Sequence, residues 1–282
     1  MIKIAAVSCV NEIGKPYVNL KHYDSIVGRI TEAHGHVDLV LFPEMCLMGF
    51  WHNKESAEMC VEVPGELTER VCNLAGKHNC MLAMGIGEAD GDKRYITHFL
   101  ASPDGYVGKY RKIYSYPTGN GMGQWFDGGE DFPVFDIDEV KVGINICWDN
   151  MFPENAQALA RQGAEVLLSP FAIATKAGAA AEEWCNKQTA YLMGTAIFTG
   201  MHVIGCNHCG EVVAPNGDLI YHPGGIFFIT PNNSGEVLFR SSGEQTADDF
   251  QVFTIDKSDI KKAKERYDYK SKVFDETLYH KG

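Results

Sequence analysis

Val-Gly-Ile-Asn-Ile-Cys-Trp-Asp-Asn-Met-Phe-Pro-Glu, residues 142–154, contains a change of secondary structure that organises the reading of the whole chain. Val142, Ile144 and Ile146 alternate with other residues in a short apolar run, the pattern of a strand. Pro153 followed by Glu154 opens a helix, because proline suits the first helical position and a carboxylate suits the positive end of the helix dipole. Ala156, Leu159 and Ala160 then share one helical face. Cys147 therefore stands where a strand stops and a tight turn feeds a helix. There a side chain can stand clear of the sheet, and the backbone N–H groups of the turn can face developing negative charge. Taken alone, Cys147 reads equally as a buried structural thiol, since cysteine is often buried.

Outward from that turn, strand and helix patterns alternate. Ile2 to Ser8 reads as a strand, Asn19 to Ala33 as an amphipathic helix with Leu20, Tyr23, Ile26, Val27 and Ile30 on one face, and Val37 to Phe42 as a strand buried on both sides. A helix over Leu67 to His78 and a strand over Cys80 to Ile86 follow. Thr97 to Ser102 and Tyr106 to Tyr110 flank Pro103-Asp104-Gly105, which marks a hairpin. Ile113 to Gly129 is a long irregular loop, rich in Gly, Pro, Tyr and Ser. Then come a strand over Val140 to Cys147, a helix over Pro153 to Gln162, a strand over Ala164 to Pro170, a helix over 178–200 and a strand over Val203 to Cys206. Two further hairpin turns sit at Pro215-Asn216-Gly217 and at Pro231 to Gly235. A strand over Phe250 to Ile255 and a charged helix over Asp259 to Arg266 complete the pattern. The alternation predicts one α/β domain over residues 1–282 with a mixed sheet or two layered sheets, and no internal sequence repeat is visible.

The net charge of −12, with no Lys/Arg run, argues against nucleic acid and anionic membranes as partners. No apolar run reaches the roughly 18 residues of a membrane span, and the N-terminus is strand-like rather than a signal peptide. Nine scattered cysteines, an odd number, predict free thiols in a reducing cytoplasm. Cys206-Asn207-His208-Cys209 is an isolated C-x-x-C pair, and a zinc site would want a second pair at suitable spacing. No metal and no cofactor is expected.

Three reactive residues fall at the ends of predicted strands: Glu44 in Leu-Phe-Pro-Glu, Lys112 in Lys-Tyr-Arg-Lys-Ile, and Cys147. Ligands of α/β sheets collect at such ends. A thiol needs a base to attack as a thiolate, and a nearby lysine can hold charge on a tetrahedral oxyanion. The residues alone leave Glu44 readable as a turn cap and Lys112, beside Lys109 and Arg111, as part of a solvated face.

These segments resemble the motifs of the nitrilase superfamily of carbon–nitrogen hydrolases. Leu41-Phe42-Pro43-Glu44 is similar to the family's Glu motif, Lys109-Tyr110-Arg111-Lys112-Ile113 to its Lys motif, and Gly143 to Asp149 with Phe152-Pro153-Glu154 to its Cys motif. The similarity runs nearly end to end, with Ser169-Pro170 and Cys206-Asn207 also matching. The resemblance implies a four-layer αββα sandwich with two mixed β-sheets that forms a homodimer or higher homo-oligomer, with the aromatic tail over 267–282 at the interface. It implies Glu44 as general base, Cys147 as nucleophile, Lys112 as stabiliser of the tetrahedral intermediate and the Trp148 backbone N–H as part of an oxyanion hole. The expected substrate is a small non-peptide amide; a nitrile or an N-carbamoyl compound is the alternative, and a catalytically silent scaffold is the alternative of another class. Two departures bear on substrate. The loop after Lys112 has no acidic residue up to Trp125, where many relatives carry a second glutamate, so Asn120 or Gln124 would take that place. Asp149, Asn150 and Met151 stand where carbamoylases and ω-amidases often place an arginine. Trp125 and Phe171 are expected at the substrate, with Trp51, His52, Tyr114 and Trp184 as further candidate walls.

Overall fold

The computed structural model describes residues 1–50, 54–116, 125–175, 178–232, 235–241 and 243–266. The first half runs β1 (Ile2–Ser8), α1 (Pro16–His34), β2 (Leu39–Leu41), α2 (Lys54–Glu58), α3 (Glu66–His78), β3 (Met81–Asp90), β4 (Lys93–Ser102) and β5 (Gly105–Arg111). The second runs β6 (Val134–Ile137), β7 (Val140–Ile144), a 3₁₀ turn (Cys147–Met151), α4 (Pro153–Arg161), β8 (Val166–Pro170), α5 (Ala179–Thr199) and β9 (His202–Cys206). It continues with β10 (Cys209–Val213), β11 (Leu219–Pro223), β12 (Ile226–Thr230), β13 (Glu236–Arg240), β14 (Asp249–Ile255) and α6 (Lys257–Arg266).

Two six-stranded sheets form the centre, in the orders β14-β1-β2-β3-β4-β5 and β13-β12-β9-β8-β7-β6, with β10-β11 as a separate hairpin. In each sheet a parallel trio is flanked by antiparallel strands: β1, β2 and β3 in the first, and β7, β8 and β9 in the second. The two halves thus share a topology that no sequence repeat announces, because a sheet position constrains apolar pattern more than residue identity. The sheets face each other through β1, β9 and β12, while α3 packs on the first with α1 beside it and α5 packs on the second with α4 beside it. This is the α/β sandwich of two mixed sheets and covering helices expected from the sequence.

Local sequence explains the helices. Pro16 occupies the first turn of α1, and Tyr23, Ile26, Val27 and Ile30 form its buried face. Pro153 and Glu154 open α4, whose Ala156, Leu159 and Ala160 are buried. Two strands are shorter than their apolar runs: the ladder of β2 covers only Leu39–Leu41, and that of β7 stops at Ile144. Phe42 and Asn145 each still donate one bond to the neighbouring strand, to Ala83 and Leu168, and the backbone then turns into the loops that follow. The 3₁₀ turn, α2 and β6 carry no periodic signal long enough to predict. The tail from Tyr267 lies outside the described residues. Among the described residues, no helix is long and apolar enough to cross a membrane.

Candidate active site

The first strand-end loop is set by a glycine. Gly85 of β3 passes so close to the turn after β2 that a Cβ there would stand 2.2 Å from the Met45 nitrogen and 2.8 Å from the Pro43 oxygen. The turn needs Met45 at a φ of 53° and is tied by the Glu44 N–H to the Phe171 carbonyl, 3.2 Å. It presents the Glu44 side chain inside the protein, almost wholly buried. The second loop leaves β5. Lys112 donates its backbone N–H to Ile96 (2.8 Å) and accepts from Gly129 (2.8 Å), which sends the side chain inward.

The third loop is the exit from β7. Cys147 has a φ of 49°, a left-handed conformation that costs a residue with a Cβ about 1 kcal/mol or more. Asn150 restrains it: its Nδ2 donates to the Cys147 carbonyl at 2.9 Å and to the Asn145 carbonyl at 3.2 Å, and its Oδ1 accepts from Ser169 at 2.9 Å.

Lys112 Nζ lies 2.6 Å from Glu44 Oε1, and both side chains are 2% exposed or less, so neither charge shares its partner with water. Glu44 Oε2 has no hydrogen-bond partner among the described residues. Burial alone would lower the Lys112 ammonium, but the charges of Glu44, Cys147 and Asp149 outweigh it and push the pKa up, so Lys112 stays a cation. For Cys147, burial and then the Glu44 charge push the thiol well up, and Lys112 with the Ala172 backbone N–H pull only partly against them. These influences favour the thiol of Cys147 over a preformed thiolate, and Glu44 Oε2 is left free of other partners among the described residues.

Above these side chains opens a cavity of about 570 Å³. Its lining includes Lys112, Cys147 and Trp148, together with Phe50, Tyr116, Met151, Phe171, Trp184 and Tyr191. Phe171 and Trp184 pack edge-to-face at 5.9 Å. Trp125 is half-buried against the core and is not among the lining residues, and Tyr114 instead stacks on Phe152 at 3.9 Å. Trp51, His52, Asn120 and Gln124 lie outside the described residues. The nine cysteines are all free thiols. Among the described residues no group of three or more His, Cys, Asp or Glu side chains is placed to hold a metal.

Asp149 has a role that sequence reasoning missed, having noted the position only for lacking arginine. Fully buried, it accepts the Tyr110 hydroxyl at 2.7 Å and the Tyr114 N–H at 2.8 Å, and so fastens the start of the Lys112 loop to the Cys147 turn. Burial pushes its carboxyl up to about 6, against the Lys112 ammonium and these donors. A pKa above the ordinary 3.9 or so means the folded protein binds the proton more tightly than the unfolded chain. This contribution therefore weakens as pH rises from about 4 to about 6 and is level above that. Asp149→Asn has no such titration. Urea unfolding at pH 4 and pH 7 should show the stability of the variant, relative to wild type, rising by about 2–3 kcal/mol across the interval. A difference independent of pH would mean that Asp149 ionises at its ordinary value.

The carbon–nitrogen hydrolase family model matches residues 4–265. Nitrilase 3 of Arabidopsis thaliana is 31% identical over 270 residues, spanning 82% of this chain and 72% of that protein. A nitrilase of Pyrococcus abyssi is 32% identical over 174 residues, 60% of this chain and 64% of that one. Among solved structures, a carbon–nitrogen hydrolase from Helicobacter pylori superposes with a TM-score of 0.82 at 22% identity, covering 99% of this chain and 98% of that one. An amidase of Nesterenkonia sp. AN1, of which a glutamate-to-glutamine mutant is known with acrylamide added at the active-site cysteine, superposes at 0.75 with 22% identity, covering 94% of this chain and 98% of that one.

Proposed function

Because the chain belongs to the carbon–nitrogen hydrolase family of the nitrilase superfamily, we propose that Glu44, Lys112 and Cys147 are its catalytic residues and that it hydrolyses a small, uncharged amide. The observation that carries this is the buried Glu44–Lys112 pair, 2.6 Å apart, with Lys112 and Cys147 together in the lining of an aromatic-walled cavity. As Cys147 Sγ attacks the carbonyl carbon, its proton passes to Glu44. The oxyanion is held by the Lys112 ammonium and the Trp148 backbone N–H. Collapse breaks the C–N bond, the leaving nitrogen takes the proton from Glu44, and ammonia or an amine departs. Water then gives a proton to Glu44 and attacks the thioester; the proton returns to the sulfur as the acid is released.

The walls support an uncharged substrate. Among the described residues, the lysines in the cavity lining are Lys112, committed to Glu44, and Lys187, paired with Glu183 at 2.7 Å. Neither offers a substrate carboxylate the bidentate grip that an arginine would. Phe50, Met151, Phe171 and Trp184 offer apolar surface instead. A nitrile is the second reading: the nitrilase names of the sequence relatives favour it, and the same thiol chemistry would pass through a thioimidate.

The test is ammonia release from a matched panel of neutral aliphatic and aromatic amides, the corresponding nitriles, dicarboxylate monoamides and N-carbamoyl amino acids. Neutral amides should turn over with kcat/KM at least about tenfold above carboxylate-bearing ones of equal size, the factor that about 1.4 kcal/mol of unmet charge supplies. Turnover confined to nitriles supports the second reading, and a preference for the carboxylate-bearing compounds overturns the uncharged-substrate assignment.

A further inference from the structure

The isolated motif Cys206-Asn207-His208-Cys209 finds its use in the structure without a metal. It is the turn between β9 and β10, and its two central side chains are fully buried. Asn207 Oδ1 accepts the Ile173 N–H at 2.8 Å, and its Nδ2 donates to the Gly224 carbonyl at 3.0 Å. His208 Nε2 lies 2.7 Å from the backbone carbonyl of Glu44, 164 residues away in the chain. A carbonyl only accepts, so Nε2 carries the proton and Nδ1 is a lone pair. Asn11 Nδ2 donates to that lone pair at 2.6 Å. Burial, with His222 adding to it, pushes the His208 imidazole down to about 3, which keeps this neutral form.

The same turn reaches the other wall of the site. The Phe171 N–H bonds the Cys206 carbonyl at 2.8 Å, and the Phe171 carbonyl receives the Glu44 N–H. The Ile173 carbonyl receives His222 Nδ1 at 2.9 Å, and the two histidine rings lie 5.3 Å apart. Between Phe171 and Ile173 sits Ala172, whose N–H acts on the Cys147 thiol. One buried turn thus holds the peptide that carries the base and the segment that faces the nucleophile.

We infer that His208, held in one tautomer by Asn11, is a positioning residue that fixes the backbone of Glu44 and thereby aims its free carboxylate oxygen at the Cys147 thiol. It touches no reacting atom. The inference rests on the reading of Glu44 as the base. Loss of the His208–Glu44 bond would leave the carbonyl of a buried loop unsatisfied and free to shift, and a misplacement of about 1 Å near a reacting pair costs on the order of 100-fold.

The test uses two substitutions at one position. Glutamine can place an amide N–H where Nε2 stood, and asparagine only near Nδ1. The readouts are alkylation of Cys147 by iodoacetamide, located by mass spectrometry, with its pH profile, and kcat and KM on the fastest-hydrolysed compound of the panel above. His208→Gln should keep the alkylation rate and kcat within about threefold, whereas His208→Asn should lose about 10- to 100-fold in both with KM little changed. His202→Asn removes an equally buried imidazole that packs on Phe228, away from the site, and should leave alkylation unchanged. Equal rates for the two His208 variants, or an equal loss in His202→Asn, overturns the inference. If neither His208 variant folds, Asn11→Ala, which frees Nδ1, must slow alkylation for the inference to stand. Glu44→Gln is run in parallel. Slow alkylation there with normal alkylation in His208→Asn overturns the positioning role alone, and normal alkylation in Glu44→Gln removes the base assignment and the positioning role together.

Discussion

Cys147→Ala folds like the wild type and releases no measurable ammonia from any amide that the wild type hydrolyses. Two magnitudes set this expectation. The substitution removes one buried sulfur, a loss on the order of 1 kcal/mol, against the 5–15 kcal/mol that typically holds a domain together. It also keeps a Cβ at a φ of 49°, so the backbone strain at the turn is the same in both proteins. Catalysis loses far more, because in the proposed mechanism every covalent step passes through that sulfur; removing a nucleophile of this kind costs about 10⁵-fold or more. Thermal unfolding measured beside ammonia release separates the two effects. Activity above about 1% of wild type in a folded variant would overturn the nucleophile assignment and leave water activated at Glu44 as the attacking group. The same protein decides the scaffold alternative. A silent scaffold has no turnover to lose, so activity that vanishes with one sulfur cannot belong to it.

The sequence made the three strand-end residues visible because each falls where a strand pattern meets a distinct stop: Pro43 before Glu44, the end of the hairpin before Lys112, and the Trp148–Phe152 turn with Pro153 after Cys147. What was legible was local. The helices α1, α3 and α4 and the hairpins at Pro103, Pro215 and Pro231 announce themselves by periodicity and turn chemistry. Two layered sheets were among the expectations, but the assignment of each strand to its sheet was not legible, since apolar strands give no sign of which sheet takes them. Nor was Asp149, whose partners Tyr110 and Tyr114 lie 39 and 35 residues away. His208 stood in plain view, but its segment was weighed only as a metal motif and set aside for want of a second pair, and its link to Glu44 exists only after folding. Tertiary hydrogen bonds between buried polar groups leave no period in a sequence. The signal that could have found them is the cost of burying Asp149 or His208 in an apolar segment without a partner.

Lys112→Met should destabilise the protein by about 3–5 kcal/mol, the usual result of removing one member of a buried ion pair, and should abolish turnover. The carboxylate of Glu44 would remain in the core with Oε2 unpartnered and Oε1 newly so. That penalty belongs to the stranded charge rather than to lost packing, because methionine fills most of the lysine's volume. The double variant Glu44→Gln/Lys112→Met has no charge to strand, so it should recover much of the stability lost by Lys112→Met while remaining inactive. Chemical unfolding of wild type, both single variants and the double gives the coupling directly, and strict additivity would mean that the 2.6 Å contact contributes nothing in solution. The split between stability and activity gives the reason for the pair. Two well-packed neutral side chains could hold this fold about as firmly as Glu44 and Lys112 do. What they could not supply is a carboxylate oxygen free to take the proton of Cys147 beside a cation that survives burial. On this reading the buried pair is retained for the reaction it supports, and the double variant should be the more stable protein of the two folded, inactive ones that lack Lys112.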